Sequence, residues 1–441
     1  MEPVYEIVKQ YVEAHRREML CLWEDFVNTP SQARDRAAAM KMADKLMDIF
    51  SVMGMDVRSV DVGPVNSRLI VADWNTAAPG APILISGHYD TVNACPDESA
   101  MPGTETALDG TTHFRVDAEG KAHGLGCLDM QGGIVIAIWA LRALQALGWN
   151  KHPVRFLFAG DEDKGHEHGN TPEKMMELAK GCACCFNMET GLITNEICIG
   201  RKGGGQGDVE VTGKAAHAGN EFSSGRNALL EMTYIAQELA ALTDLEKGTT
   251  VAPTLIRGGS VPNGIPELCT MSFDVRYNCE SEKQRLLKAF EEIGSTTHIE
   301  GTHCKLVFRE FMSPFEKTPR GEALADFVAA VSQRSGLGTM GKKVLGGSSD
   351  ASYLTMAGVP TICSMGVCGQ YQPFQQGVRL CGKPVHPHKA AYLCTDGAGR
   401  ISGQLKNETT KGRCASSGLW RYGEVADKTV DLEDQICRSR E

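Results

Sequence analysis

The chain has 441 residues, more than one ordinary hydrophobic core accommodates, so two domains are expected, each able to bury a core of its own. Its 45 basic and 55 acidic side chains leave a net charge of −10 with no basic block, which argues against nucleic acid or an anionic membrane as partner and leaves small, charged or peptide-like ligands open. Met1-Glu2-Pro3-Val4-Tyr5 lacks a basic segment leading into an apolar one, the longest apolar run, Ile134 to Leu141, is short for a bilayer, and the 16 cysteines are scattered, so a reduced, soluble, cytoplasmic protein is expected.

Two helical patterns open the chain, Val4 to Val27 and Ala33 to Met53, divided at Asn28-Thr29-Pro30-Ser31 by a proline and capping residues. A strand is expected at Arg68 to Ala72 and a turn at Thr76 to Gly80. The run Ile83 to Val92 is short, β-branched, preceded by Pro82 and broken by Gly87, which predicts a buried strand with His88 and Asp90 at its carboxyl end. Side chains two apart on extended backbone share a face, and a ligating histidine needs a partner on its other nitrogen. Taken alone, a satisfied loop histidine is the plainer reading of His88.

Residues 93–124, rich in Asp, Gly and Thr, predict an exposed excursion before Gly124 to Gly133, which carries Asp129, and an apolar helix to Leu147. The strand Val154 to Gly160 runs into Asp161-Glu162-Asp163-Lys164-Gly165, and a strand around Cys184 to Met188 ends at Glu189. Strands alternating with helices predict a parallel sheet whose ligands gather beyond the carboxyl ends. Cys182-Ala183-Cys184-Cys185 reads as buried strand rather than a metal cluster. Alone, Asp161 to Asp163 would be a solvated loop, and His166 and His168 are read as surface residues.

From Arg201 the texture changes. Gly203 to Gly207 reads as a turn between strands, since no Lys-Ser/Thr follows and no helix opens there to make it a phosphate cradle. A strand at Gly207 to Gly213, a helix at Asn227 to Leu242, strands at Thr250 to Ile256 and Leu268 to Tyr277, a helix at Glu280 to Ile293 and a strand at Lys305 to Arg309 make a βαββαβ unit of ferredoxin-like order. After Pro314 the α/β texture returns, with a helix at Phe327 to Ser335 and Gly346-Gly347-Ser348-Ser349-Asp350-Ala351 leading a helix into Val359 to Ile362.

Together, His88, Asp129, Glu162, Asp163 and Glu189 are a nitrogen-and-oxygen set suited to zinc or a similar divalent ion, with too many carboxylates for one tetrahedral centre. Two ions about 3.5–4 Å apart, sharing a carboxylate, would polarise a carbonyl and lower the pKa of a water towards about 7. A carboxylate left beside that water can take its proton and return it to a leaving amine.

Gly87 to Val92, Gly124 to Gly133, Asp161 to Gly165 and Gly213-Lys214-Ala215-Ala216-His217-Ala218-Gly219 stand in the order found in one family. The chain resembles, from about Val12 to Tyr371, the co-catalytic zinc family of acetylornithine deacetylase, succinyl-diaminopimelate desuccinylase and glutamate carboxypeptidase. The resemblance implies an α/β catalytic domain over 1–200 and 313–371, with a mixed, mostly parallel sheet and helices on both faces. It also implies an inserted ferredoxin-like α+β lid and dimerisation domain over 201–312. It implies that His88 and Glu189 hold one metal, Asp129 bridges, Asp163 holds the other, Asp90 orients His88, and Glu162 is general base and acid. His217 would stabilise the tetrahedral intermediate, Asn263 and Arg276 would contact substrate, and Gly347 would line the pocket with backbone. The implied cofactors are two divalent ions, zinc above all, with cobalt or manganese as alternatives; the implied partners are a small peptide or N-acyl amino acid and a second copy of the chain.

Two departures stand out. Asp163 replaces the usual second glutamate of the acidic run, one methylene shorter. Where such enzymes supply a last ligand histidine in an Asn-His-Ser/Thr context, this chain reads Gln372-Pro373-Phe374-Gln375-Gln376-Gly377-Val378-Arg379. Codons for that octet, shifted by one nucleotide, can spell Asn-His-Ser-Asn-Arg-Glu-Tyr-Ala, the expected motif. Residues 372–441 lack helical or alternating periodicity, read as loop or disorder, and are taken as an aberrant, frameshifted tail in which His386 and His388 are the candidate substitutes.

The expected activity is hydrolysis of an amide bond beside a free carboxylate through a metal-bound hydroxide, as a carboxypeptidase, dipeptidase or N-acyl amino-acid deacylase. The rival is a catalytically impaired binding protein that keeps the fold.

Overall fold

A computed structural model describes residues 4–92, 113–118, 120–372 and 379–382, with backbone alone for 370–372 and 379–382. The chain divides into two units, one made of the residues up to Ile197 with Pro319–Lys342 and the described residues from Ala357 on, the other of Cys198–Thr318 with Lys343–Met356.

The first unit is built on a six-stranded sheet in the order Asp56–Val60, Leu69–Trp74, Val154–Ala159, Ile83–His88, Cys184–Asn187, Thr361–Ile362. The last four run parallel, Leu69–Trp74 runs antiparallel to them and Asp56–Val60 antiparallel to Leu69–Trp74, which makes the sheet mixed and mostly parallel. In the His88 strand both parities are buried, with Leu84 and Ser86 at 0 % and Ile85 at 4 % exposure; successive side chains point to opposite faces, so both faces are covered. The helix Arg36–Val52 covers part of one face: Phe50 stands edge-on to Phe156 at 5.3 Å and stacks near Phe158 at 5.9 Å. Each such buried ring contributes about 1.5–3 kcal/mol through area removed from water.

Opening the chain, one expected helix is two, Val4–Ala14 and Arg16–Val27, parted at His15, whose ring hydrogen-bonds the Tyr11 carbonyl at 2.8 Å. Cys182 precedes the Cys184–Asn187 strand instead of lying in it, and no cysteine joins a metal-ligand cluster among the described residues. The segment Cys127–Ala146 is long and apolar enough to cross a bilayer by composition, yet most of it is buried inside the protein. Of the expected excursion, residues 113–123 contain a short hairpin, Arg115–Val116 against Ala122–His123.

The second unit holds a four-stranded antiparallel sheet ordered Thr250–Gly258, Leu268–Tyr277, Gly203–Thr212, His303–Met312, with helices Ala228–Ala241 and Glu280–Ser295. This is the ferredoxin-like arrangement. Period-2 burial decides which face meets the helices: Cys269, Met271, Phe273, Val275 and Tyr277 join Val209 and Val211 in the core, while Asp208 and Ser272 pair at 2.8 Å on the other side.

Gly203-Gly204-Gly205 is not a turn but the start of the central strand, Gly203–Thr212. The reason is steric. A Cβ at Gly207 would sit 2.0 Å from the Phe273 ring and one at Gly205 2.5 Å from the Phe308 ring, so the missing side chains leave the volume filled by Phe273, Phe290 and Phe308.

Candidate active site

Three neighbouring parallel strands end at one place in the first unit. The Ile83–His88 strand delivers His88 and Asp90, Val154–Ala159 delivers Glu162 and Asp163 on a single turn, and Cys184–Asn187 delivers Glu189. Asp129 comes from the irregular turn Cys127–Gln131 that feeds the helix Gly132–Ala146; the Asp129–Met130 peptide is cis. Two glycines permit the close approach. A Cβ on Gly87 would lie 2.2 Å from Met130 Cε, and one on Gly133 would lie 2.0 Å from the Met188 carbonyl oxygen.

His88 is 1 % exposed and is addressed from both ring nitrogens. Nδ1 lies 3.0 Å from the main-chain oxygen of Asp90, which can only accept, so this bond places a proton on Nδ1. The Asp90 carboxylate stands 3.4 Å from the same nitrogen, and its Oδ2 accepts the Asp163 main-chain N–H at 2.9 Å. Nε2 faces Asp129 Oδ1 at 3.1 Å and Glu189 Oε1 at 3.3 Å, with Glu162 Oε2 at 4.0 Å. Asp163 Oδ2 is 4.0 Å from Nδ1.

Nε2, facing two carboxylate oxygens, has two ways to be satisfied: as an N–H donor to them, or with its lone pair on a cation held between them. Burial disfavours the imidazolium, but Glu162, Asp129, Asp90 and Glu189 raise His88 well above the ordinary histidine value. Burial also raises the Asp163 carboxyl well above the usual range; His88 opposes this, and Asp129, Asp90 and Glu189 add repulsion. One imidazole nitrogen and two carboxylate oxygens, from His88, Asp129 and Glu189, lie within 4.8 Å of one another, a donor set that fits a borderline divalent ion. His88, Asp90 and Asp163 form a second such group.

The remaining expected site residues lie in the second unit. His217 is exposed, and its Nδ1 accepts the main-chain N–H groups of Gly219 and Asn220, each at 3.1 Å. The proton therefore sits on Nε2, which is presented as a donor. The Asn263 carbonyl accepts the Ala218 N–H at 3.0 Å, joining the loop of Asn263 to that of His217. Arg276 makes a bidentate pair with Asp274 at 3.0 and 3.1 Å and lies 4.8 Å over the Phe311 ring. Gly347 is exposed.

His166, expected at the surface, is 5 % exposed; it holds a left-handed backbone at φ 56° and its ring meets the buried Asp161 carboxylate at 2.9 Å. His168 is exposed. The sequence reading also passed over Met130, whose sulfur accepts the His88 main-chain N–H at 3.2 Å, and Tyr89, whose hydroxyl pairs with Ser67 and with the Arg68 carbonyl beneath Gly160. No spacing rule points to either. Of residues 372–441, Gln372 ends the strand Cys368–Gln372 and 379–382 form a strand paired with it; the others, with His386 and His388, lie outside the described residues.

Residues 199–302 match the family model of the peptidase dimerisation domain of M20 peptidases. Carboxypeptidase G2 of Pseudomonas sp. (strain RS-16) is 28 % identical over 327 residues, 73 % of this chain and 75 % of the relative. The chain is thus similar to M20 peptidases, with the match to their dimerisation domain confined to residues 199–302. A second relative, succinyl-diaminopimelate desuccinylase of Cereibacter sphaeroides, is 26 % identical over 395 residues, covering 85 % of this chain and 96 % of that one. Acetylornithine deacetylase of Vibrio vulnificus is 29 % identical over 249 residues, covering 53 % and 60 %. The M20 fold is seen directly in the metallo-carboxypeptidase Sso-CP2 of Sulfolobus solfataricus, with a TM-score of 0.66 at 15 % identity over 86 % of this chain and 98 % of that one.

Proposed function

We propose that this chain is a metal-dependent hydrolase that cleaves an amide or peptide bond next to a free carboxylate, as a glutamate carboxypeptidase-like exopeptidase or an N-acyl amino-acid deacylase. The observation that carries this reading is His88 Nε2 standing 3.1 Å from Asp129 and 3.3 Å from Glu189, with Glu162 beside them. His88, Asp129 and Glu189 would hold one divalent ion, and Asp129 with Asp163 a second. Bound there, the ions, for which zinc is proposed, supply Lewis acidity towards the scissile carbonyl and towards a water.

Within that frame Glu162 takes the proton of the attacking water and returns it to the leaving amine; its side chain is 12 % exposed, reachable yet shielded from bulk solvent. Asp90 orients His88 through its carbonyl and holds the Asp163 turn through its carboxylate. His217, with its donor on Nε2, suits a developing oxyanion. Asn263, Arg276 and the backbone at Gly347 are assigned to the substrate, with the Arg276 fork matching a carboxylate once it exchanges Asp274 for it.

Relatives that act on carboxylate-bearing substrates by their names, carboxypeptidase G2 and succinyl-diaminopimelate desuccinylase, support the substrate class. A homodimer formed by the inserted unit, about 201–312 as lid and dimerisation domain, is supported by the dimerisation-domain match. It is also supported by the edge strand Thr250–Gly258, where Leu255 and Ile256 are 59 % and 54 % exposed, and by Leu230 and Tyr234 on the adjoining helix. A cytoplasmic location is proposed from the cysteines, eleven of which are outside any disulfide among the described residues.

One observation favours the second reading, a binding protein that retains one ion: among the described residues, both clusters able to hold a metal share a single imidazole, His88. The test compares the chain as it stands with one in which Gln372 to Arg379 is replaced by Asn-His-Ser-Asn-Arg-Glu-Tyr-Ala. Zinc stoichiometry and turnover of C-terminal glutamate and N-acyl substrates are measured on both. Two ions and turnover in the repaired chain, with one or none and little turnover in the original, support a hydrolase with a broken tail. Absence of turnover in both sinks the hydrolase reading, and equal activity in both assigns the missing ligand to His386 or His388.

A further inference from the structure

Asp161 stands one residue before the expected general base and has no place in the mechanism above. It is 0 % exposed, and every bond it makes ties down the turn that carries Glu162 and Asp163. Its Oδ2 accepts from Asn66 Nδ2 at 2.8 Å and from the Thr171 hydroxyl at 2.7 Å, and its Oδ1 lies 2.9 Å from His166 Nδ1. Its main-chain oxygen accepts the His166 N–H at 2.9 Å. Asn66 is anchored in turn, because its own carbonyl accepts Arg36 Nε at 2.8 Å.

These partners bracket the turn. Thr171 opens the helix Thr171–Ala179, His166 closes the tight turn after Glu162–Lys164, and Asn66 belongs to the loop before the Leu69–Trp74 strand. Asn66, His166 and Thr171 are themselves 1 %, 5 % and 0 % exposed, so the carboxylate and its partners are shielded from bulk solvent. The carboxylate thus has fixed partners on three separate elements. From the opposite side, Asp90 holds the Asp163 N–H at 2.9 Å. A turn gripped at both ends leaves Glu162 little freedom except in its own side chain.

We propose that Asp161 is a positioning residue: acting through the buried Asn66, His166 and Thr171, it fixes the turn so that Glu162 reaches the reacting water and Asp163 reaches the ion site. The catalytic part of this proposal rests on the hydrolase reading; the geometric part does not. Displacing a general base by about 1 Å costs on the order of 100-fold in rate, and loss of a residue that orients ligands costs about 10–100-fold in affinity.

The full chain and the chain repaired at 372–379 are used, with Asp161→Ala, Asp161→Asn and Thr171→Val. Asp161→Asn keeps an acceptor for Asn66 and Thr171, while His166 can accept from the new amide, so it serves as the conservative rescue. Amide hydrogen exchange across residues 161–169, zinc affinity by chelator competition, and kcat and KM are measured. In Asp161→Ala exchange is expected to rise at least about tenfold and zinc affinity to fall about 10–100-fold, while kcat falls about 100-fold with KM within about threefold. Asp161→Asn recovers most of each. Thr171→Val, which removes one donor and keeps the fold if Asp161→Ala does not, moves exchange and kcat the same way by about three- to tenfold. Unchanged exchange in a folded variant overturns the proposal. A lower thermal midpoint with zinc affinity and kcat intact overturns it too, leaving a structural role. No turnover by the repaired parent overturns the hydrolase reading instead, and exchange with zinc affinity then decides on Asp161.

Discussion

The carboxylate of Asp90 accepts the main-chain N–H of Asp163 at 2.9 Å, so the second residue after one strand of the central sheet anchors the turn following its neighbour. The same Asp90 holds the His88 ring by its carbonyl. Asp90→Ala therefore loosens Asp163 and relaxes the region around His88 together. Zinc affinity is expected to drop about 10–100-fold, read by competition with a chelator; an unchanged affinity would remove Asp90 from the orienting role.

Glu162→Gln is expected to keep its ions, because the donors nearest His88 Nε2 are Asp129 and Glu189, and to lose at least about 100-fold in turnover. Bound zinc and kcat on the repaired chain report the two separately. Turnover within tenfold of the parent assigns the proton transfer to another group.

The central strand of the second unit should be intolerant of side chains where the phenylalanines fill the gap. Gly207→Ala puts a methyl 2.0 Å from the Phe273 ring, and overpacking of this kind costs about 1–3 kcal/mol. Chemical denaturation followed by a probe in this unit would register the loss. Gly259→Ala is the contrast, since its site is open but its φ is 80°, so any cost there comes from backbone strain alone.

Acid should weaken the second unit through Glu282. The Arg285 guanidinium, with help from Thr249 and Lys247 and against the effect of burial, lowers its carboxyl from 4.5 to about 2. Because the folded value is the lower one, the stabilisation is fully present above about pH 4.5 and is lost as pH falls towards 2. Glu282→Gln should cost about 1–2 kcal/mol at pH 7, and the gap to the parent should narrow between pH 4.5 and 2. A gap independent of pH would mean the bond contributes through shape and not charge.

If the second unit carries the dimer contact, Leu230→Arg combined with Ile256→Arg places charge on both exposed apolar elements. Light scattering should then move from a dimer to a monomer, with thermal stability little changed. A dimer that survives both substitutions places the contact elsewhere.

The amino-acid order by itself determined that strands would carry His88, Glu162 with Asp163, and Glu189 to a common edge, because apolar runs ending in polar residues record where a buried strand leaves the core. It determined the βαββαβ order too, through the shift from continuous to alternating burial. Tertiary structure decided the rest. Gly203 to Gly207 looked like a turn since glycine disfavours a strand locally, and only Phe273, Phe308 and Phe311, from strands far along the chain, make glycine the residue that fits. Asp161 and His166 looked solvated in a run of charge; their burial depends on Asn66, 95 residues away from Asp161, and no local pattern encodes a partner at that distance. Which proton His88 and His217 carry was likewise undecided until the Asp90 carbonyl and the Gly219 and Asn220 amides were in place, because a tautomer is set by the group that meets the ring and not by the ring's neighbours in sequence.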